Sequence, residues 1–469
     1  MGDREKIRTV LNPWNIGWAI ASLLFAVVVT WQDRGLTFFW DEWDVVSATL
    51  ESPFYGILQD NGGNFFPLSR IFFGIELALF GSWYPGFVFV TSLLFGGTAL
   101  VFNVLLDDGT RIRRIALSAF ALIYLSSTGV LFASSMGFML KWGLSPLLAI
   151  ISAAFFIRSR QAQNVRRTDT VLAWLFFMLS WASFSSSIVL MALLIVGLIH
   201  FAPAGKEHGA EGQLYVKLSL VILAASALLA VLGIRIAELN PPANPLIGNA
   251  QGVFDNVLAQ NPIDSILLAL AATLESLVSV VIAVPLHSNE FSSWLIIAFR
   301  DYLGFVVALL LAILGGIYLI KKSLPPKQLV LLFGLLFAAM GFITLARTPF
   351  IHRYQSLWIP IAVLVILSMF SWLGNLNLTL IRNLVLAVMM VAAITSGWQI
   401  AVNSLSIANI ERQRDTAELS KLRDPLLCLP EASQSLEQIA PTISATRLCS
   451  LMETLQSRDW VTQRQKIEQ

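Results

Sequence analysis

Charged residues are scarce in this chain. Asp, Glu, Lys and Arg make up 13% of its 469 residues, while hydrophobic residues make up 56%. An ordinary soluble domain carries about 25% charged residues, so this composition excludes a soluble protein. The formal net charge is only +2, and no basic stripe is interleaved with aromatic residues. We therefore expect no nucleic-acid partner.

Several signatures of catalysis are also missing. The sequence holds no phosphate-cradling Gly-rich loop, no Cys and His at zinc-ligand spacing and no nucleophilic serine motif. A site for a soluble nucleotide sugar is therefore unsupported. Cysteine is nearly absent as well, because the chain holds two, Cys428 and Cys449, and both follow the last apolar segment.

Apolar segments dominate what is present, and many approach the ~20 residues that a bilayer requires. They predict an all-α integral membrane protein with about eleven transmembrane helices, near residues 14–30, 85–106, 114–131, 136–157, 170–184, 186–201, 217–236, 302–320, 328–345, 355–373 and 379–398. Cytoplasmic loops retain Lys and Arg, which indicates orientation. With the N-terminus inside, the inner segments hold more than twice as many Lys and Arg as the outer segments up to residue 373. We expect a cytoplasmic N-terminus and an extracytoplasmic C-terminus.

One apolar segment, residues 263–285, does not fit this alternation. If it crossed the membrane, Lys321 and Lys322 would lie outside and Arg347 and Arg353 inside. We interpret it as a re-entrant or surface-lying helical hairpin on the outer side. Such a segment is tolerated where protein or a water-filled cavity covers it.

The predicted organisation is one transmembrane domain, residues 1–398, followed by a small helical tail domain, residues 399–469. The first domain carries two large outer loops, 31–84 and 237–301. The first loop contains an apolar, aromatic stretch that Pro67 begins and Gly81 ends. We predict a helix that lies at the membrane surface instead of crossing it.

The predicted topology places both cysteines in the extracytoplasmic tail, where they can form a disulfide. An extracytoplasmic tail lies in an oxidising compartment, where disulfides persist. A bond between Cys428 and Cys449 would stabilise the tail by roughly 3 kcal/mol. The alternative is two unpaired buried thiols.

The most informative polar feature is the acidic motif Asp41-Glu42-Trp43-Asp44, directly after the first span. Acidic groups at a membrane surface usually serve ion, proton or substrate chemistry. The alternative is a cluster that caps a helix, since Asp commonly begins helices. Three acids within four positions exceed what capping requires, which favours function.

The arrangement resembles the GT-C glycosyltransferases, integral membrane enzymes that use polyprenyl-phosphate-linked sugars as donors. The matching elements are the acidic motif of the first outer loop, the segment from Asp60 to Arg70, and the segment from Arg347 to Tyr354. Many spans and an outer tail complete the likeness. Members often carry His near the positions of residues 61–64, and this chain has none there, which leaves metal binding open.

The resemblance implies a division of roles. Asp41 would take the proton from the acceptor hydroxyl, and Glu42 or Asp44 would orient the acceptor or bind a divalent cation. Arg347 and Arg353 would hold the departing phosphate, since guanidinium groups match phosphate oxygens bidentately. The alternative for both arginines is a contact with anionic lipid headgroups. No cofactor is required, although a divalent cation is possible.

Further residues are candidates for the same site. Lys141 lies inside the fourth span, where a cation is costly and usually functional. It would meet the donor phosphate or neutralise an acid. Arg70 would contact the phosphate or extend to the membrane surface, and Tyr354 would hydrogen-bond the phosphate or join the aromatic belt. The remaining candidates, for the acceptor and its pocket, are Asp60, Asn64, His352, His287 and Glu290.

These inferences predict a glycosyltransferase of the bacterial inner membrane. It would transfer a sugar from a polyprenyl-phosphate carrier to a cell-envelope glycan or glycolipid on the extracytoplasmic face, with inversion. A transporter or flippase of lipid-linked sugars is one alternative, although such proteins often show two related halves, and no repeat is present. A polymerase or ligase of polyprenyl-pyrophosphate glycans and a catalytically silent scaffold are the others.

Overall fold

The computed structural model describes residues 12–36, 38, 41–51, 57–58, 64–161, 167–201, 209–239, 326–347, 354–403, 447, 449–451 and 454. These residues are almost entirely helical, as predicted. The helices are α1 (Pro13–Gln32), α2 (Asp41–Glu51), α3 (Pro67–Phe80), α4 (Tyr84–Leu106), α5 (Arg111–Ser126), α6 (Thr128–Ser134), α7 (Leu140–Gln161), α8 (Arg167–Ser183), α9 (Ile188–Phe201), α10 (Gly209–Leu239), α11 (Lys327–Arg347), α12 (Gln355–Asn375) and α13 (Thr379–Asn403). Two 3₁₀ turns, Gly137–Met139 and Ser185–Ser187, precede α7 and α9.

Within the described part of the chain, four helical stretches are long and apolar enough to cross a membrane: Pro13–Gln32, Tyr84–Leu106, Gly137–Ser159 and Gln355–Asn375. Shorter apolar helices lie at Ile188–Phe201, Lys217–Gly233, Lys327–Leu336 and Thr379–Val391. These helices indicate a membrane protein. The stretch predicted as one span at 114–131 consists of α5 and α6, which are separated at Ser127. The segments 263–285 and 302–320 lie outside the described residues.

Side-chain contacts assign helix termini to two ends of the bundle. At one end, the Arg114 guanidinium lies 5.7 Å from the Trp14 ring centre, and that of Arg113 lies 4.8 Å from the Phe201 ring centre. The starts of α1 and α5 therefore meet the end of α9. The other end of the bundle carries α2, and we call it the α2 end. There the backbone N–H of Ser185 donates to the Phe65 carbonyl at 2.9 Å.

Helix α3 has the bounds that its sequence predicts. Pro67 occupies the first turn, where its missing N–H is no loss. Gly81 ends the helix with φ of 57°, a left-handed conformation that favours glycine. With 14 residues, α3 is too short to cross a bilayer. Its apolar side chains Ile71, Phe72, Ile75 and Leu79 are exposed, as expected for a helix at the membrane surface.

Small residues allow the long helices to approach closely. The hydroxyl of Ser22 on α1 donates to the carbonyl of Gly96 on α4 at 2.8 Å. Between α7, α8 and the second 3₁₀ turn, the buried hydroxyl of Ser145 lies 3.2 Å from that of Ser180 and 3.1 Å from that of Ser187. Such contacts replace the hydrophobic driving force that helices lack inside a membrane.

Candidate functional site

The centre of the α2 end is the carboxylate of Glu42, which is fully buried. The hydroxyl of Tyr84 lies 2.9 Å from Oε1 and 3.0 Å from Oε2 of Glu42. The backbone N–H of Phe138 donates to Oε1 at 3.1 Å, and that of Gly137 donates to the Tyr84 oxygen at 3.2 Å. Glu42 thereby joins α2 to the start of α4 and to the 3₁₀ turn before α7.

These hydrogen bonds give Glu42 a role that sequence reasoning did not assign. Its partners include a phenol and a backbone amide of the protein itself, which suit an acid that fixes the local structure. Among the described residues, no group of three or more His, Cys, Asp or Glu side chains forms a metal site. The hydrogen bonds to Tyr84 and Phe138 fit a positioning role for Glu42.

The acids on either side of Glu42 occupy different positions. Asp41 is the first residue of α2, although its side chain lies outside the described residues. The positive end of the helix dipole favours an anion at such a position. Asp44 follows one turn later and is half-buried. The acidic motif is thus both the start of a helix and part of the α2 end, so capping and function are compatible.

Lys141 lies in an aromatic cage at the first turn of α7. Its Nζ is 3.7 Å from the ring centre of Phe138, 4.2 Å from that of Phe66 and 5.4 Å from that of Phe184. The lysine is 5% exposed. Attraction between an ammonium and ring faces offsets part of the cost of burying the charge. Because Phe138 also donates its N–H to Glu42, this residue links the cage to the acidic helix.

Arg70 approaches the same cage from α3. Its guanidinium carbon lies 4.9 Å from the ring centre of Phe66. The residue is 3% exposed, and this burial is the opposite of an arginine extended to the membrane surface. Phe66 therefore contacts two buried cations, Arg70 and Lys141.

Hydrogen bonds across 114 to 120 residues of sequence hold this part of the first loop in place. The N–H of Phe65 donates to the Ser185 hydroxyl at 2.8 Å, and the Ser69 hydroxyl donates to the Ser183 carbonyl at 2.8 Å. The loop that carries Phe66 and Arg70 is thereby fixed to the α8–α9 connection, which carries Phe184.

Tyr354 reaches the site through aromatic contacts. It is buried just before α12, and its ring centre lies 4.5 Å from that of Trp142. Trp142 in turn lies 4.6 Å from Phe184 of the cage. Trp142 therefore links Tyr354 to the aromatic cage around Lys141.

Other predicted site residues are only partly described. Asn64 is half-buried and lies two residues before Phe66 of the cage. Arg347 is the last residue of α11, and its side chain lies outside the described residues. Cys449 is buried and disulfide-bonded. The predicted residues that lie outside the described part of the chain are Asp60, His287, Glu290, His352, Arg353 and Cys428.

Sequence reasoning missed the residues that assemble the site. Tyr84, Phe66, Phe138 and Phe184 are four of many aromatic residues in a chain with 31 Phe, and the sequence contains no pattern that selects them. The sequence feature that these residues share is their location, because each lies within a few residues of the start of a helix. Comparison with known proteins adds no assignment, because no family model, curated protein or solved structure matches the chain.

Proposed function

We propose that this protein is a membrane glycosyltransferase that uses a polyprenyl-phosphate-linked sugar. The observation that carries the proposal is the pair of buried cations, Arg70 and Lys141, on the ring of Phe66. They lie at the same end of the bundle as the acidic helix α2. Cations near carboxylates are what transfer from a phosphate leaving group requires.

The two cations suit a phosphate in different ways. A guanidinium offers parallel N–H donors that match phosphate oxygens, whereas an ammonium acts as a point charge with three rotatable donors. Both are buried, so water screens their attraction for an anion only weakly. In this proposal, Arg70 and Lys141 bind the donor phosphate and stabilise the charge that develops on it. Arg347, Arg353 and Tyr354 would complete the phosphate site.

Asp41 is the proposed general base. Its carboxylate takes the proton of the acceptor hydroxyl while the hydroxyl oxygen attacks the anomeric carbon. The bond between that carbon and the phosphate oxygen breaks, and its electron pair stays on the polyprenyl phosphate. One displacement inverts the anomeric carbon. Glu42 holds the position of α2, and Asp44 remains the candidate for orienting the acceptor.

The proposal includes the finer architecture. About eleven spans in a GT-C arrangement would place the N-terminus in the cytoplasm and the α2 end outside. The location would be the bacterial inner membrane, and the acceptor a cell-envelope glycan or glycolipid. Alternation of the described helices between the two ends supports this arrangement, since the starts of α4, α7 and α12 meet at the α2 end.

The test uses purified protein in lipid nanodiscs with a panel of polyprenyl-phosphate sugars and candidate acceptors. Release of polyprenyl phosphate by the wild type is expected, and its loss in Asp41→Asn. Asp108→Asn is the matched control, because this acid is exposed and lies in the connection before α5, remote from α2. Absence of donor binding together with absence of release would overturn the proposal. Passage of intact donor across a bilayer, measured in proteoliposomes without release, would favour a transporter.

A further inference from the structure

A residue near the end of the chain contacts the acidic helix. Nε of Arg447 donates to Oε1 of Glu51 at 2.9 Å, and Nη2 pairs with Oε2 of the same carboxylate. The two residues are separated by 396 positions. Glu51 is the last residue of α2, so the contact joins the C-terminal tail to the helix that begins with Asp41.

The composition of α2 explains why such a cation is needed. The helix sequence, DEWDVVSATLE, holds four acids and no base. Acids at the start of a helix favour its dipole, whereas an acid in the last turn opposes it. Arg447 supplies the missing cation at that end. The hydrogen bond to Arg447 is the main cause of a lowered pKa at Glu51. The same hydrogen bond is the main cause of a raised pKa at Arg447, to which the charge of Asp44 adds a smaller part.

Apolar burial anchors the same stretch of tail. Cys449 and Leu451 are buried, at 8% and 4% exposed, and belong to the hydrophobic core of the bundle. Cys449 is also disulfide-bonded. We call Arg447, Cys449 and Leu451 the tail anchor. An isolated surface ion pair stabilises little, but here the arginine lies on a segment that packing and a covalent bond already hold in place.

We propose that the tail anchor positions the acidic helix, with Arg447 as a positioning residue for the reaction at Asp41. Helix α2 contacts the 3₁₀ turn through Glu42 at its start, and Arg447 holds its last turn. Fixing both termini sets the direction of the helix and with it the position of Asp41. The effect on catalysis rests on the proposed function, whereas the effect on α2 does not.

The first test is charge exchange, read by hydrogen exchange of the α2 amides in nanodiscs. Arg447→Glu and Glu51→Arg are each expected to speed exchange in α2 by about two- to fivefold, as loss of an exposed ion pair implies. The double exchange Arg447→Glu/Glu51→Arg should restore protection. Arg113→Glu is the matched control, because it breaks the Arg113–Asp108 pair at the opposite end of the bundle. Unchanged α2 protection in both single variants would overturn the proposal.

The second test measures transfer. With the donor that the wild type accepts, Arg447→Glu should lower kcat more than it raises KM, because Asp41 is displaced while the cage is intact. Arg447→Lys and the double exchange should recover most of the loss. If α2 loosens but kcat is unchanged, the tail anchor does not position Asp41. If the wild type releases no polyprenyl phosphate at all, the proposed function fails while the hydrogen-exchange result still decides the structural claim.

Discussion

The hydroxyl of Tyr84 lies within 3.0 Å of both carboxylate oxygens of Glu42, in a fully buried position. This contact joins α2, which carries Glu42, to the start of α4, which begins at Tyr84. Since Gly137 and Phe138 donate to the same pair, the turn that leads to Lys141 is held by it as well. The arrangement of the α2 end therefore depends on one buried acid and one phenol.

Tyr84→Phe removes the donor from this network while keeping the ring. The Glu42 carboxylate and the N–H of Gly137 each lose a partner, so we expect a loss of about 1–3 kcal/mol in the free energy of unfolding. Glu42→Gln is the comparison, because an amide oxygen can still accept hydrogen bonds. The combined variant should cost less than the sum of the two single costs, measured by unfolding in detergent. Strict additivity would show that the two residues do not act as a pair.

Lys141→Met tests the cage. Methionine has a similar length and no charge, and it packs well against aromatic rings, so the protein should fold. Affinity for a polyprenyl-phosphate sugar should fall about tenfold or more, as expected when a charged hydrogen bond to phosphate is lost.

Lys141→Arg is the control in which a cation is kept. The measurement is donor binding to protein in nanodiscs. Equal affinity in wild type and Lys141→Met would exclude Lys141 from the phosphate site.

Local features of the fold could be read from the sequence, whereas the connections of the site could not. Pro67 and Gly81 gave both ends of α3, because each acts through its own backbone conformation. The acidic motif does begin a helix, α2, which was the alternative to its functional interpretation. The role of Glu42 depends on Tyr84 and Phe138, which are 42 and 96 residues further along the chain. Nothing in the sequence near a carboxylate distinguishes a buried anchor from an exposed catalytic acid.

Arg70 illustrates the same limit. The sequence placed it on a helix that Pro67 begins and Gly81 ends, and this helix is present as α3. A long amphipathic side chain on such a helix can extend outward or turn inward, and helical periodicity alone does not decide. Packing of Phe66 against Lys141 and the bond from Ser69 to Ser183 turn this face of α3 inward. These contacts arise only when distant helices meet.

Glu76 gives a prediction about pH. It lies on the buried face of α3, and within the described chain neither carboxyl oxygen has a hydrogen-bond partner. Burial raises the pKa of Glu76 well above its ordinary value. The folded state therefore keeps the proton while the unfolded chain loses it near pH 4.3. Stability contributed by the neutral acid is complete below that pH and is lost as pH rises toward the folded-state pKa.

Glu76→Gln should remove this dependence. The wild type should unfold more readily at pH 8 than at pH 5, and the difference should shrink in the variant. Glu76→Leu should behave alike, since neither replacement can ionise. The measurement is the unfolding midpoint across pH in detergent. An unaltered pH slope in both variants would mean that Glu76 is ionised in the folded protein.

Gly96 and its neighbour Gly97 form a matched pair on α4. A Cβ on Gly96 would lie 2.9 Å from the backbone oxygen of Ser22, whereas a Cβ on Gly97 would meet only the Leu147 side chain at 3.8 Å. Alanine favours a helix over glycine by about 1 kcal/mol, so Gly97→Ala should raise the unfolding midpoint. Gly96→Ala should lower it, because overpacking costs about 1–3 kcal/mol and would stretch the 2.8 Å hydrogen bond between Ser22 and Gly96. Opposite shifts of the two midpoints would establish that α1 and α4 touch at Gly96, and equal shifts would contradict that contact.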